Sequence, residues 1–152
     1  MAKNKFSQRT VKDNYYFLEE KEGERIAHSY LIAVKTSEMA ETIRKIREGI
    51  ITPQNKEFMV GKLLDVAIVV HVNKQRYDSQ DVDNVAKVVL DALKKNKNFP
   101  DESYLFGDDS HVIRLLVQKV KRTEDNESET DQLSISIREH NSEKDMKIVK
   151  SE

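Results

Sequence analysis

The longest uninterrupted apolar run in the chain is Val66 to Val70, within the segment 62–73 (KLLDVAIVVHVN). A short run rich in valine and isoleucine is typical of a buried β-strand. It is far too short to cross a membrane, and the chain contains no longer apolar run. The 152 residues suffice for one domain with its own hydrophobic core. The run therefore predicts a buried strand in a single globular domain.

The composition excludes several classes of protein. Charged residues make up 35% of the chain and cysteine is absent, which rules out disulfides, thiolate zinc sites and cysteine nucleophiles. The basic N-terminus is not followed by a hydrophobic segment, so a secretory signal is not expected. These features favour a cytoplasmic protein with no membrane partner.

The near-neutral net charge of −1 conceals an uneven distribution. Residues 123–152 carry a net charge of −5, which leaves a net charge of +4 on residues 1–122. A mildly basic body is compatible with nucleic-acid binding but does not establish it.

The hydrophobic periodicity predicts strands and helices in alternation. The order is strand, helix, strand, helix, strand, strand, and the segments are 29–36, 37–48, 62–73, 81–95, 111–120 and 132–138. Residues 52–61 are expected to form a loop, and the alternation in 132–138 predicts an outer strand with one solvated face. This order predicts an α+β fold, a small mixed β-sheet of about four strands with two main helices on one face.

The same reading divides the chain into three regions. Residues 1–14 are expected to be a flexible basic N-terminus, and residues 15–140 a single domain. Residues 141–152 are expected to be a disordered tail. We find no internal repeat and no sign of a second domain.

Two groups of acidic residues are candidates for a metal site. Asp81 and Asp83 lie at the predicted start of the second helix, and Asp109 lies just before the third strand. Carboxylates that converge can bind a divalent cation, which relieves their mutual repulsion. The alternative remains open, because aspartate at a helix start also caps free backbone amides. Lys87, one turn after Asp83, could stabilise phosphate charge or form a surface ion pair.

A longer pattern brings these residues together. It consists of Asp81-Val82-Asp83-Asn84, Lys87, Asp91-Ala92-Leu93, Asp108-Asp109 and Val112. The pattern resembles the signature of the RusA family of Holliday junction resolvases, and the match runs from Asp81 to about Val120. The resemblance implies a RusA-like homodimer that cleaves four-way DNA junctions in recombination and repair, with Mg²⁺ as cofactor and Mn²⁺ as a possible substitute.

The resemblance also implies roles for individual residues. The metal-binding aspartates of the family correspond to Asp81, Asp83 and Asp109, and the active-site lysine corresponds to Lys87. Lys74 and Arg76 stand just before the motif and are expected to hold the DNA backbone together with Lys87. This segment has fewer arginines than the family pattern suggests.

Two other functions are kept as hypotheses. One is a non-catalytic module of the same fold that binds branched DNA, which the small positive charge of the body would suit. The other is a structural or assembly protein whose acidic residues are only helix caps and turns. The second of these predicts no salt-sensitive affinity for DNA.

Overall fold

The structure, a computed structural model, describes residues 16–21, 23–34, 39–72, 77–95, 104–121 and 131–150. Within these residues the strands are β1 (Tyr16–Leu18), β2 (Ile26–Val34), β3 (Leu64–Val72), β4 (Val112–Lys121), β5 (Asp131–Glu139) and β6 (Ile148–Lys150). The α-helices are α1 (Met39–Ile50), α2 (Pro53–Met59) and α3 (Val82–Leu93). A short 3₁₀ helix, Asp109–His111, precedes β4.

The main sheet has four strands in the order β2-β5-β3-β4. β3 pairs antiparallel with β5 and parallel with β4, and β2 pairs antiparallel with β5. Strands β1 and β6 form a separate two-stranded antiparallel sheet. The predicted α+β class with a mixed four-stranded sheet is confirmed.

One face of β3 forms the main core with the helices. Leu64, Val66, Ile68 and Val70 are fully buried in a cluster that includes side chains from α1 and α3. The residues that α3 buries recur at helical spacing and are Val85, Ala86, Val88, Val89, Ala92 and Leu93. This spacing explains why segment 82–93 forms a helix that packs on the sheet. The helix ends where Lys94 takes an extended conformation.

The opposite face of the sheet is covered by the small β1–β6 sheet. Leu18 of β1 is fully buried and packs with Ile26 and Ala67, and Ile148 of β6 packs against the same cluster. The backbone N–H of Leu18 donates a hydrogen bond to Ser136 Oγ in β5, over 3.2 Å. The two central strands of the main sheet, β3 and β5, are therefore covered on both faces.

The expectation that 132–138 is an outer strand with a solvated face is wrong. β5 lies between β2 and β3, and all its residues except Glu139 are buried. Its alternating serines suggested contact with water, but Ser136 Oγ instead contacts His28 Nδ1 at 2.9 Å and accepts the Leu18 amide. Serine in a strand signals a polar neighbour as readily as it signals solvent.

Residues 52–61, expected to form a loop, contain α2. Pro53 occupies the first turn, where its missing N–H costs nothing, and the Thr52 side chain accepts a hydrogen bond from Asn55 N at 3.1 Å. The helix predicted over 37–48 instead ends, as α1, at Ile50, whose carbonyl accepts a bond from Asn55 Nδ2. The turn residues here open a second helix.

The region from residue 141 was expected to be disordered, yet residues 141–150 include β6. Two arginines bind the carbonyl groups of this segment. Arg114 Nη2 donates to Asn141 O at 2.6 Å, and Arg138 Nη2 donates to Asp145 O at 3.0 Å. The expected flexible N-terminus, 1–14, lies outside the described residues. Among the helices in the described ranges, none has the length and apolar character needed to span a bilayer.

We predict that Leu18→Ala lowers the free energy of unfolding by about 2–5 kcal/mol, because it opens a cavity beneath the β1–β6 sheet. Leu63→Ala is the matched control, since Leu63 is exposed, and it should change stability by less than about 0.5 kcal/mol. Urea unfolding followed by circular dichroism measures both. Equal effects of the two substitutions would show that the small sheet does not seal the core.

Candidate active site

The N-terminal end of α3 carries two of the three candidate metal ligands. Asp81 is the N-cap residue in an extended conformation, and its Oδ1 accepts a hydrogen bond from Asp83 N at 3.1 Å. The Asp81 carbonyl accepts the amide of Val85 at 3.4 Å, which is the first bond of the helix. Both carboxylates are exposed. The helix N-terminus contributes partial positive charge, which favours carboxylates at this position.

The capping alternative for Asp81 is thus realised, although it occupies only part of the carboxylate. A carboxylate has two oxygens and about four sites that can accept a bond. One contact with Asp83 N leaves the rest of the Asp81 carboxylate available to a cation. The structure therefore gives Asp81 a structural role without excluding a second one.

Lys87 lies one turn after Asp83 on α3, and its side chain is exposed. It has no ion-pair partner among the residues that the structure describes. The surface ion pair considered for Lys87 is therefore not formed with either Asp83 or Asp91. Asp91 instead lies 3.7 Å from Lys94 Nζ. Lys87 remains available to an anionic ligand near the two carboxylates.

The end of β4 holds the segment before α3 in place. Lys119 Nζ donates to the carbonyl oxygen of Tyr77 and, over 3.1 Å, to that of Gln80. The same ammonium lies 4.7 Å from the centre of the Tyr77 ring, and Lys121 lies 5.0 Å from it. The strand pattern does not indicate this role of Lys119, because it cannot show that one lysine reaches a neighbouring loop. This contact places the carboxylate pair beside the end of β4.

Asp109 lies at the other end of α3. Its Oδ2 is 3.2 Å from Nζ of Lys94, the residue that follows the last turn of the helix. The hydrogen bond to Asp109, with the charge of Asp91 nearby, raises the pKa of Lys94. Asp108 is engaged separately, since its Oδ2 accepts a 2.6 Å bond from Ser110 Oγ, and this contact lowers the pKa of Asp108.

The separation between the two acidic groups follows from the length of the helix. Twelve helical residues span about 18 Å, and Asp81 and Lys94 flank these residues on either side. The parallel pairing of β3 and β4 agrees, because Asp109 precedes the start of β4 and Asp81 follows the end of β3. In the described ranges, no three His, Cys, Asp or Glu side chains are grouped so that they could hold a metal ion. The chain brings Asp81 and Asp83 together and leaves Asp109 apart.

The proposed DNA contacts are only partly described. Lys74 and Arg76 lie outside the described residues, as does 96–103 of the connection between α3 and β4. At the near end of that connection, Lys94 contacts Asp109, and Lys95 lies 5.8 Å from the centre of the Tyr104 ring.

No protein-family model matches the chain, and no curated protein matches it significantly.

We predict that Asp81→Ala destabilises the protein by about 1 kcal/mol, because it removes the N-cap. Asp81→Asn is the matched control, since an asparagine side chain can still accept the Asp83 amide while lacking the negative charge. It should retain nearly full stability in urea unfolding. Equal destabilisation by Asn and Ala would assign the effect to charge at the helix terminus.

Proposed function

We propose that this chain is a RusA-like endodeoxyribonuclease that cleaves four-way DNA junctions as a homodimer with Mg²⁺. The observation that carries the proposal is the exposed pair Asp81 and Asp83 at one helix terminus, one turn from Lys87, which has no ion-pair partner among the described residues. The pair is adjacent in space and its oxygens are largely available. An exposed carboxylate pair suits Mg²⁺, which binds few protein ligands and keeps several waters.

The third carboxylate is supplied by the second subunit. β4 is the last strand of the main sheet, and among the described strands only β3 pairs with it. It is ten residues long, contains no proline, and exposes Ile113 and Leu115 by 45% and 42%. A long edge strand with exposed apolar side chains is able to pair with another strand. The β4 edge of a second copy is therefore its proposed partner.

Antiparallel pairing of two β4 edges would complete the carboxylate set. A two-fold axis places the start of β4 in one chain beside the end of β4 in its partner, about 4.8 Å away. The end of β4 is where Lys119 anchors the segment before Asp81. Asp109 precedes the start of β4. Asp109 of each chain would therefore approach Asp81 and Asp83 of the other.

In this arrangement each side chain has a defined task. Asp81, Asp83 and the partner's Asp109 would hold the metal, whose chemistry is to activate water and to stabilise charge on the phosphate. Lys87 would neutralise charge that develops on the phosphate oxygens. Lys74, Arg76 and Lys87 would hold the DNA backbone near the site. Two equivalent sites related by a two-fold axis match the two strands that must be cut in a symmetric junction.

One observation favours the non-catalytic alternative. Within the subunit Asp109 is already paired with Lys94, so a chain that does not exchange this contact would bind branched DNA without cutting it. Cleavage assays on a four-way junction, with and without Mg²⁺, separate the two functions. Binding without cleavage at any Mg²⁺ concentration would favour the binding module.

We predict that Asp83→Asn reduces junction cleavage by at least about a hundredfold, because it removes one negative ligand of the metal. Binding to the junction should persist, since the proposed DNA contacts are the cationic residues Lys74, Arg76 and Lys87, which the substitution leaves in place. Gel-shift and cleavage assays on the same junction measure the two properties. Unchanged cleavage by a folded Asp83→Asn protein would contradict the metal-binding role.

A second prediction tests the shared site by mixing two inactive variants. In a heterodimer of Asp83→Asn and Asp109→Asn chains, one shared site has both substitutions and the other has none. After subunit exchange, the whole mixture should therefore contain up to about a quarter as many intact sites as the wild type, and cleavage should recover in proportion. A mixture of Asp83→Asn with Asp81→Asn is the matched control and should stay inactive, because both sites are then damaged.

Failure of recovery, with subunit exchange verified by mass spectrometry, would contradict the β4 pairing. The metal-binding role of Asp83 would then be judged by the Asp83→Asn variant alone.

A further inference from the structure

A fully buried carboxylate lies in β3, on the face of the sheet away from the helices. Asp65 accepts hydrogen bonds from Arg114 Nε and Nη2 at 3.2 and 2.9 Å, from Arg138 Nε at 3.2 Å and from His140 Nδ1 at 2.8 Å. Burial alone would raise the pKa of Asp65, but the bonds from Arg114, His140 and Arg138 together lower it. Asp65 is therefore a carboxylate that fixes three basic side chains.

The bond to Asp65 fixes the orientation of His140. A carboxylate only accepts hydrogen bonds, so Nδ1 of the imidazole carries the proton that it donates. The second ring nitrogen, Nε2, is left to other partners, and the His140 side chain is partly exposed at 18%. A carboxylate that holds one nitrogen of a histidine commonly sets the other for a ligand.

His140 lines a cavity of about 510 Å³ at the end of the sheet where β3 begins. Four permanently cationic side chains also line it, and they are Arg25, Lys62, Arg138 and Lys144. Among the described residues, two carboxylates also line it. Glu24 is nearly buried and bonds Lys144 Nζ at 2.9 Å, while Glu139 is exposed and lies 4.0 Å from Lys62 Nζ. A third carboxylate, Asp65, bonds Arg138 from within the sheet. The four cations therefore exceed these three carboxylates by one positive charge.

Two cationic side chains of the wall are positioned by their contacts. Arg138 lies 3.7 Å from Glu24 and donates to the carbonyls of Lys144 and Asp145. Arg25 stacks on Phe58 with its guanidinium carbon 4.1 Å from the ring centre. Groups fixed in advance bind a ligand with little loss of conformational entropy. The cavity is thus positively charged and preorganised in part, and its lining does not include Asp81, Asp83, Lys87 or Asp109.

We propose that the cavity defined by Arg25, Phe58, Lys62, His140 and Lys144 binds the phosphate group of a small molecule. The excess of positive charge suits an anion, and donors that converge from several elements suit a tetrahedral phosphate group. The volume exceeds that of phosphate alone and falls in the range of small-molecule sites. The remaining space would hold the organic part of the ligand beside Phe58.

The test uses the full-length protein and inorganic phosphate as the probe, with phenyl phosphate as a second ligand. Isothermal titration should detect saturable binding of both to the wild-type protein. Lys62→Ala and His140→Gln should each weaken binding at least tenfold. Lys147→Ala is the matched control, because this exposed lysine lies outside the cavity, and it should bind like the wild type.

Circular dichroism spectra verify that all variants are folded. If His140→Gln does not fold, Lys62→Ala still decides the test. Lack of saturable phosphate binding by the wild-type protein would overturn the proposal. So would equal affinity of the wild type and Lys62→Ala. Release of bound phosphate by a four-way junction would show that the cavity takes the DNA backbone, which would overturn the assignment to a small molecule.

Discussion

Strand β3 is out of contact with water along its whole length, with β4 on one side and β5 on the other. Such a strand is stable only when its backbone groups are paired and both of its faces are covered. The helices α1 and α3 cover one face, and the β1–β6 sheet covers the other. The positions of the remaining elements follow from this requirement, including that of β6, near the C-terminus.

The same strand contains Asp65, which could be costly at a fully buried position. A buried charge without partners would destabilise the fold by several kcal/mol. The partners of Asp65 are Arg114 of β4, Arg138 of β5 and His140, which follows β5. The carboxylate therefore joins three neighbouring parts of the sheet, and it holds two residues of the proposed phosphate cavity, Arg138 and His140.

The parallel pairing of β3 and β4 decides the geometry of the candidate active site. A connection between parallel strands must return along the length of the sheet, and here α3 is that connection. The two ends of α3 consequently lie at opposite ends of strands β3 and β4. Asp81 and Asp83 lie at one end and Asp109 at the other, so a single chain does not unite them. In the proposed homodimer, a two-fold contact along β4 would unite them.

The sequence by itself determined the α+β class, the buried strand around Val66 to Val70, the amphipathic helix after it, and the pairing of Asp81 with Asp83 at its start. These features depend on spacing within one segment, which periodicity and capping report directly. The tertiary structure alone decided that β5 is central, that residues 141–150 cover the sheet, and that Asp109 lies a helix length from Asp83. Each depends on which distant segment supplies the neighbour, and a local pattern of polar and apolar residues is the same whether a serine faces water or another strand.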